Sequence, residues 1–97
     1  MATLAAMLKR KGFDVRRSGS AGNPITFKAD GPNVRITVDN GVTPDGINVE
    51  NAAYVVIDGF IVDNRTRTGV RAAVAHHITI RNCHLGYNGR WGILTGF

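Results

Sequence analysis

The chain has 97 residues, enough for one domain, and its 43% apolar content excludes a chain disordered by composition. Its net charge of +5 and sequence pI of ≈ 10.2 point to anionic partners: acidic polysaccharide, nucleic acid or an anionic membrane surface. A single cysteine, Cys83, excludes an internal disulfide and a Cys-based zinc cage, and no apolar run is long enough to span a membrane.

Residues 1–12 read as an N-terminal capping helix. Thr3 is the N-cap, Leu4, Met7, Leu8 and Lys11 share a face, and Gly12 is the stop. The basic run Lys9-Arg10-Lys11 follows the apolar stretch, the reverse of a secretory leader, so a cytoplasmic location is expected. Residues 13–97 form the rest of the single domain. Residues 13–17, 25–29 and 34–38 alternate as short strands, separated by turn-rich segments at 18–24, 30–33 and 39–41.

From Asp45 the chain repeats. Gly46-Ile47, Gly69-Val70 and Gly92-Ile93 are each 23 residues apart, and residues 55–62 match residues 78–85 at the same offset. A fixed period in the low twenties, made of short β runs and Gly/Asn/Asp turns, predicts an all-β solenoid of three to four coils. The predicted strands are 47–50, 54–58 and 60–62, then 70–73, 77–81 and 83–85. Strand parity places Ile47, Val49, Val55, Ile57, Phe60 and Val62 inside. One repeat on, Val70, Ala72, Ile78, Ile80, Cys83 and Leu85 continue the same columns. Asn51, Asn64, Asn82 and Asn88 fall at strand ends and bends, where Asn suits left-handed backbone and side-chain bonds between coils.

Ser18-Gly-Ser-Ala-Gly-Asn-Pro-Ile-Thr-Phe-Lys-Ala29, Asp45-Gly-Ile-Asn-Val-Glu-Asn51, Tyr54-Val-Val-Ile-Asp-Gly-Phe60 and His77-Ile-Thr-Ile-Arg-Asn-Cys83 carry a resemblance to the pectin-lyase-like superfamily. The resemblance covers residues 13–97 and implies a short right-handed parallel β-helix. It implies little about activity, since the superfamily holds lyases, hydrolases, epimerases, tailspikes and non-enzymatic members. Such enzymes carry many more coils, so the chain looks like the N-terminal portion of a longer β-helix. The final coil is then expected to present free edges and apolar columns. Trp91, Ile93, Leu94 and Phe97 would form a homo-oligomeric interface there, a two-fold dimer being the simplest closed arrangement.

Four groups of side chains are candidates for chemistry. Asp58 and Arg81, one repeat apart, should stack, and Asp39 joins them in one register while Thr37 does so in another. The resemblance implies outward acids for calcium and an Arg or Lys for proton abstraction. That makes Asp58 and Arg81 weak catalytic candidates and Asp39 and Asp58 weak metal candidates, against the plainer reading of a surface ion-pair ladder. Arg67, Arg71, Tyr87, Arg90 and Trp91 form a basic and aromatic ridge suited to the carboxylates and flat faces of uronic acids. His76, His77 and His84 crowd near Cys83, but parity turns Cys83 inward, buried and inert, and His84 outward. No phosphate-binding glycine loop and no calcium nonapeptide is present.

The reading that follows is a non-catalytic or cryptic β-helix module. It binds anionic carbohydrate, associates through its open C-terminal coil and needs no cofactor, calcium being the one metal the resemblance admits. One alternative is a fragment or subunit of a polysaccharide lyase or epimerase; another is a purely structural assembly module. Nucleic acid ranks below these, and no membrane contact is expected.

Overall fold

The computed structural model describes residues 9–31, 34–38, 41, 45–89 and 91–96. These contain eleven strands and no helix. The strands are β1 (Lys9–Lys11), β2 (Phe13–Val15), β3 (Ile25–Lys28), β4 (Arg35–Val38), β5 (Ile47–Glu50), β6 (Ala53–Asp58), β7 (Ile61–Asp63), β8 (Thr68–Ala73), β9 (His76–Arg81), β10 (His84–Gly86) and β11 (Trp91–Gly96). They are dealt in rotation to three sheets: β2-β5-β8-β11, β3-β6-β9 and β1-β4-β7-β10. Every pairing between named strands is parallel. One strand from each sheet makes a tier: β2–β4, β5–β7 and β8–β10, with β11 opening a fourth place and β1 lying above β4.

The predicted helical cap is corrected in part. Residues 9–11 extend a sheet, pairing Lys9 with Arg35 and Arg10 with Ile36, while residues 1–8 lie outside the described residues. The free edge of β4 offers backbone partners to these residues, and a stretch this short gains little from helix formation by itself. Gly12 is not a helix stop. It heads a column of glycines, Gly12, Gly46, Gly69 and Gly92, in which each faces the carbonyl of the next. A Cβ on Gly46 would lie 2.7 Å from Gly69 O, and one on Gly69 would lie 2.7 Å from Gly92 O. At Gly46 and Gly69 the repeated Gly-Ile/Val dipeptide is therefore a packing requirement, whereas a Cβ on Gly92, at the end of the column, would meet only Leu85 at ordinary contact distance.

The second and third tiers follow the 23-residue spacing throughout: Ile47 pairs with Val70, Val55 with Ile78, Asp58 with Arg81 and Ile61 with His84. The turns keep the same register. Left-handed residues recur in pairs one repeat apart: Asn51 and Val74, Tyr54 and His77, Gly59 and Asn82, Asn64 and Tyr87. The first tier is irregular. Phe13, Ile25 and Arg35 pair with Ile47, Val55 and Ile61, at offsets of 34, 30 and 26 residues. Its longer connections contain the turn at Ser20–Asn23, closed by reciprocal backbone bonds of 3.1 and 3.0 Å.

The core runs down the middle of the tiers. Ile47, Val49, Val55, Ile57, Val62 and Val70 are fully buried, as strand parity predicts. Phe60 sits one tier from Cys83, a large residue beside a small one. It is accommodated toward the first tier, where its ring lies edge-on to Phe13 at 5.8 Å and Phe13 in turn meets Phe27 at 5.5 Å. Ile78, Ile80, Cys83 and Leu85 point into the same columns but are only half-buried.

Candidate functional site

Asp58 is the middle of a three-residue column. Lys28 pairs with it in register from the first tier and Arg81 from the third. Its neighbour in register is therefore Lys28 and not Thr37, because Ile36 pairs with Val62 and not with Val55. Asp39 lies outside the described residues. The Asp58 carboxylate accepts hydrogen bonds from Asn82 Nδ2 and Arg81 Nε, each at 3.1 Å. These bonds, the one from Asn82 first, hold its pKa below the ordinary carboxylate range. The column borders a groove of ≈ 720 Å³ lined by Lys28, Arg35, Asp58, Asn82, Cys83 and His84. Asp58 and Arg81 are thus brought together, with one donor on each oxygen of the aspartate.

Two arginines of the basic ridge are engaged within the fold. Arg67 is bound to buried Asp45 by Nε at 3.0 Å and Nη2 at 2.7 Å, which raises the Arg67 pKa. Arg71 lies on the outer face of its sheet, where Nη1 donates to Asn48 Oδ1 at 2.8 Å and Glu50 Oε1 at 3.1 Å. Hydrogen bonds from Asn48 and Arg71 hold Glu50 below its ordinary pKa. Tyr87 stands 89% exposed at a left-handed corner. Trp91 belongs to a different set: it pairs with Thr68, which is fully buried, so it occupies an interior column and is half-exposed. Arg90 lies outside the described residues.

The histidines take outward positions. His77 stacks on Tyr54 across one repeat, ring centroids 4.6 Å apart and planes 17° from parallel. His76 Nδ1 and His77 Nδ1 are 2.8 Å apart. Cys83 is half-buried where the sequence predicted full burial, and its thiol donates to the Arg81 carbonyl at 3.2 Å. Asn88 forms the expected bonds between tiers, accepting from Arg65 N–H at 3.1 Å and donating to the Val62 carbonyl at 3.3 Å. Among the described residues no cluster of three or more His, Cys, Asp or Glu could hold a metal ion. No helix among them is long and apolar enough to cross a membrane.

Comparison with protein-family models, curated proteins and solved structures finds no match. Geometry alone therefore identifies the most unusual surface. Strands β9, β10 and β11 each end a sheet, so among the described residues one edge of each is unpaired. Between these edges lie the half-buried ends of the columns, Ile78, Ile80 and Leu85, with Trp91 and Ile93 50% and 47% exposed. Ile93 pairs with buried Val70 and continues an interior column, whereas Leu94 pairs with Arg71 and lies on the outer face. Phe97 is outside the described residues.

A second feature escaped the sequence reading. Residues 1–35 carry seven Lys or Arg and two Asp. Residues 36–64 carry five acids and no Lys or Arg. Residues 65–97 carry five Arg and no acid. Along the sequence the overall charge of +5 thus divides into successive stretches of +5, −5 and +5. Each ion pair formed among the described residues joins the acidic middle tier to a basic neighbour: Arg16–Glu50, Arg35–Asp63, Arg67–Asp45, Arg71–Glu50 and Arg81–Asp58.

Proposed function

We propose that the chain is a short segment of right-handed parallel β-helix, of the pectin-lyase-like kind its strings resemble, serving as a non-catalytic module that assembles end to end. The observation that carries this reading is the contrast within single columns. Val55 and Ile57 are fully buried, while Ile78 and Ile80, next in register, are half-buried beside free strand edges. Apolar columns and free edges at one end favour the addition of further strands, through backbone hydrogen bonds and continued burial. A second copy joined through Trp91 and Ile93 is one way to supply them.

Hydrogen exchange on the dilute chain tests this reading. Half of the amides of β9, β10 and β11 should exchange much faster than those of β5 and β6, which have strands on both sides. Protection of β9, β10 and β11 equal to that of β5 and β6 would refute an open end.

A second reading has one supporting observation. Tyr87 and Trp91 present exposed aromatic surface, Tyr87 at the corner before β11 and Trp91 at the start of that strand. This suits an anionic carbohydrate, with the aromatic rings against sugar faces and the arginines toward carboxylates. Retention on a uronate-polymer column, lost in Tyr87→Ala, tests it. The enzyme-fragment alternative rests on Asp58 and Arg81, and full activity of Arg81→Ala on uronate polymers would exclude it.

A further inference from the structure

The stacked charges identify what the open end accepts. In this fold a basic tier lies against an acidic one, and the ion pairs named above all cross that boundary. The C-terminal end belongs to residues 65–97, which contain five Arg and no acid; Arg65 and Arg67 reach back to Thr37 and Asp45, while Arg81 stands exposed on β9 at the open edge. Two such ends brought together would set cationic tiers against each other. The other end of the molecule is no better matched, since residues 1–35 are also net +5. A second copy therefore meets like charge in either orientation, which opposes both encounter and docking.

The geometry points to a polypeptide partner of acidic character that adds two strands, one beside β9 and one beside β10, with a carboxylate placed next to Arg81. Two strands are called for because β11 already fills the first place of the next tier, paired with β8. Arg81 uses Nε for Asp58 at 3.1 Å and its side chain is 55% exposed. Its remaining guanidinium donors can take a second carboxylate from the far side, repeating the Asp58–Arg81 contact one tier on. The partner's apolar residues, alternating with its acids, would cover Ile78, Ile80 and Leu85. This inference rests on the reading that the open end takes further strands.

The middle tier itself supplies the probe. A synthetic peptide of residues 53–63 has two acids, no base and the strand-turn-strand pattern required. Residues 76–86, one repeat on, provide the same pattern with Arg81 and three His and no acid. Trp91 is the only tryptophan and lies half-exposed at the open end, so its emission reports occupancy. The 53–63 peptide should shift Trp91 emission to the blue. Its affinity should fall at least about tenfold between roughly 0.01 M and 1 M salt, as the Debye length drops from about 30 Å to about 3 Å. The 76–86 peptide should bind at least about tenfold more weakly at low salt, as should the 53–63 peptide with both Asp changed to Asn.

Equal binding of all three peptides would overturn the acidic character of the partner and leave strand addition standing. A stable dimer at low salt without peptide would overturn the partner in favour of a second copy. A salt-independent monomer that binds none of the peptides would overturn both this inference and the assembly reading.

Discussion

Arg67 grips Asp45 from one tier away with both arms of its guanidinium, Nε to Oδ1 at 3.0 Å and Nη2 to Oδ2 at 2.7 Å. Asp45 is 1% exposed, and its Oδ1 also accepts the Thr68 N–H at 3.2 Å. The pair fastens the corner beside the glycine column, so an arginine that looked suited to a ligand is a structural staple. Arg67→Ala should cost roughly 2–3 kcal/mol, below the ~3–5 for breaking a fully buried pair because the guanidinium is partly exposed. Arg67→Lys should restore less than half, since an ammonium cannot span both oxygens. Urea unfolding of the three proteins checks the order.

The glycine corner gives a sharper expectation. Gly69→Ala places a methyl 2.7 Å from the Gly92 carbonyl, which is backbone and cannot swing aside. It should destabilise by about 1–3 kcal/mol or prevent folding. Gly22→Ala, where nothing lies within 4 Å of the added carbon, should stay within about 0.5 kcal/mol of the parent.

Val74 occupies a left-handed backbone conformation, φ 50°, and its side chain is 54% exposed. A β-branched residue is strained there, and its partner one repeat earlier, at φ 53°, is Asn51. Val74→Asn should raise stability by about 1 kcal/mol, measured as an upward shift in Tm. An unchanged or lower Tm would show that the turn is not strained.

Acid should loosen the stack between tiers. Glu50 and Asp58 have folded-state pKa values below their ordinary ones, Glu50 through Asn48 and Arg71, Asp58 through Asn82 and Arg81. Lowered folded pKa values mean that the stability they add is present above the ordinary carboxylate range, near pH 4, and is lost as pH falls through the lowered values. Tm should therefore fall as pH drops from about 5 to about 2. Asn82→Gly keeps a residue suited to φ 53°, as Gly59 is in the same column, while removing the largest cause of the Asp58 shift. In a carboxyl NMR titration, Asp58 should move up toward its ordinary pKa in that variant.

How much was legible in the sequence varies along the chain. Where the 23-residue repeat is strict, strands, register and inward residues all follow from it, because equivalent turns force equivalent pairing. The first tier has connections of unequal length, so no spacing shows that Lys28 and not Thr37 stands beside Asp58. Lys9–Lys11 could be read as helix or strand from local pattern, and only the free edge of β4 decides it. The partners of the ridge arginines were hidden for another reason. Sequence proximity placed Arg67, Arg71 and Trp91 together, but the carboxylates that engage the arginines are about one repeat away, at Asp45 and Glu50.

The solution mass of the isolated chain at low and at high salt tests the alternating-charge account most directly. A monomer of 10.4 kDa at low ionic strength is expected, with any larger species growing in as salt screens the basic ends. A dimer of twice that mass at low salt, dissociating as salt is added, would show attraction between copies and contradict the account.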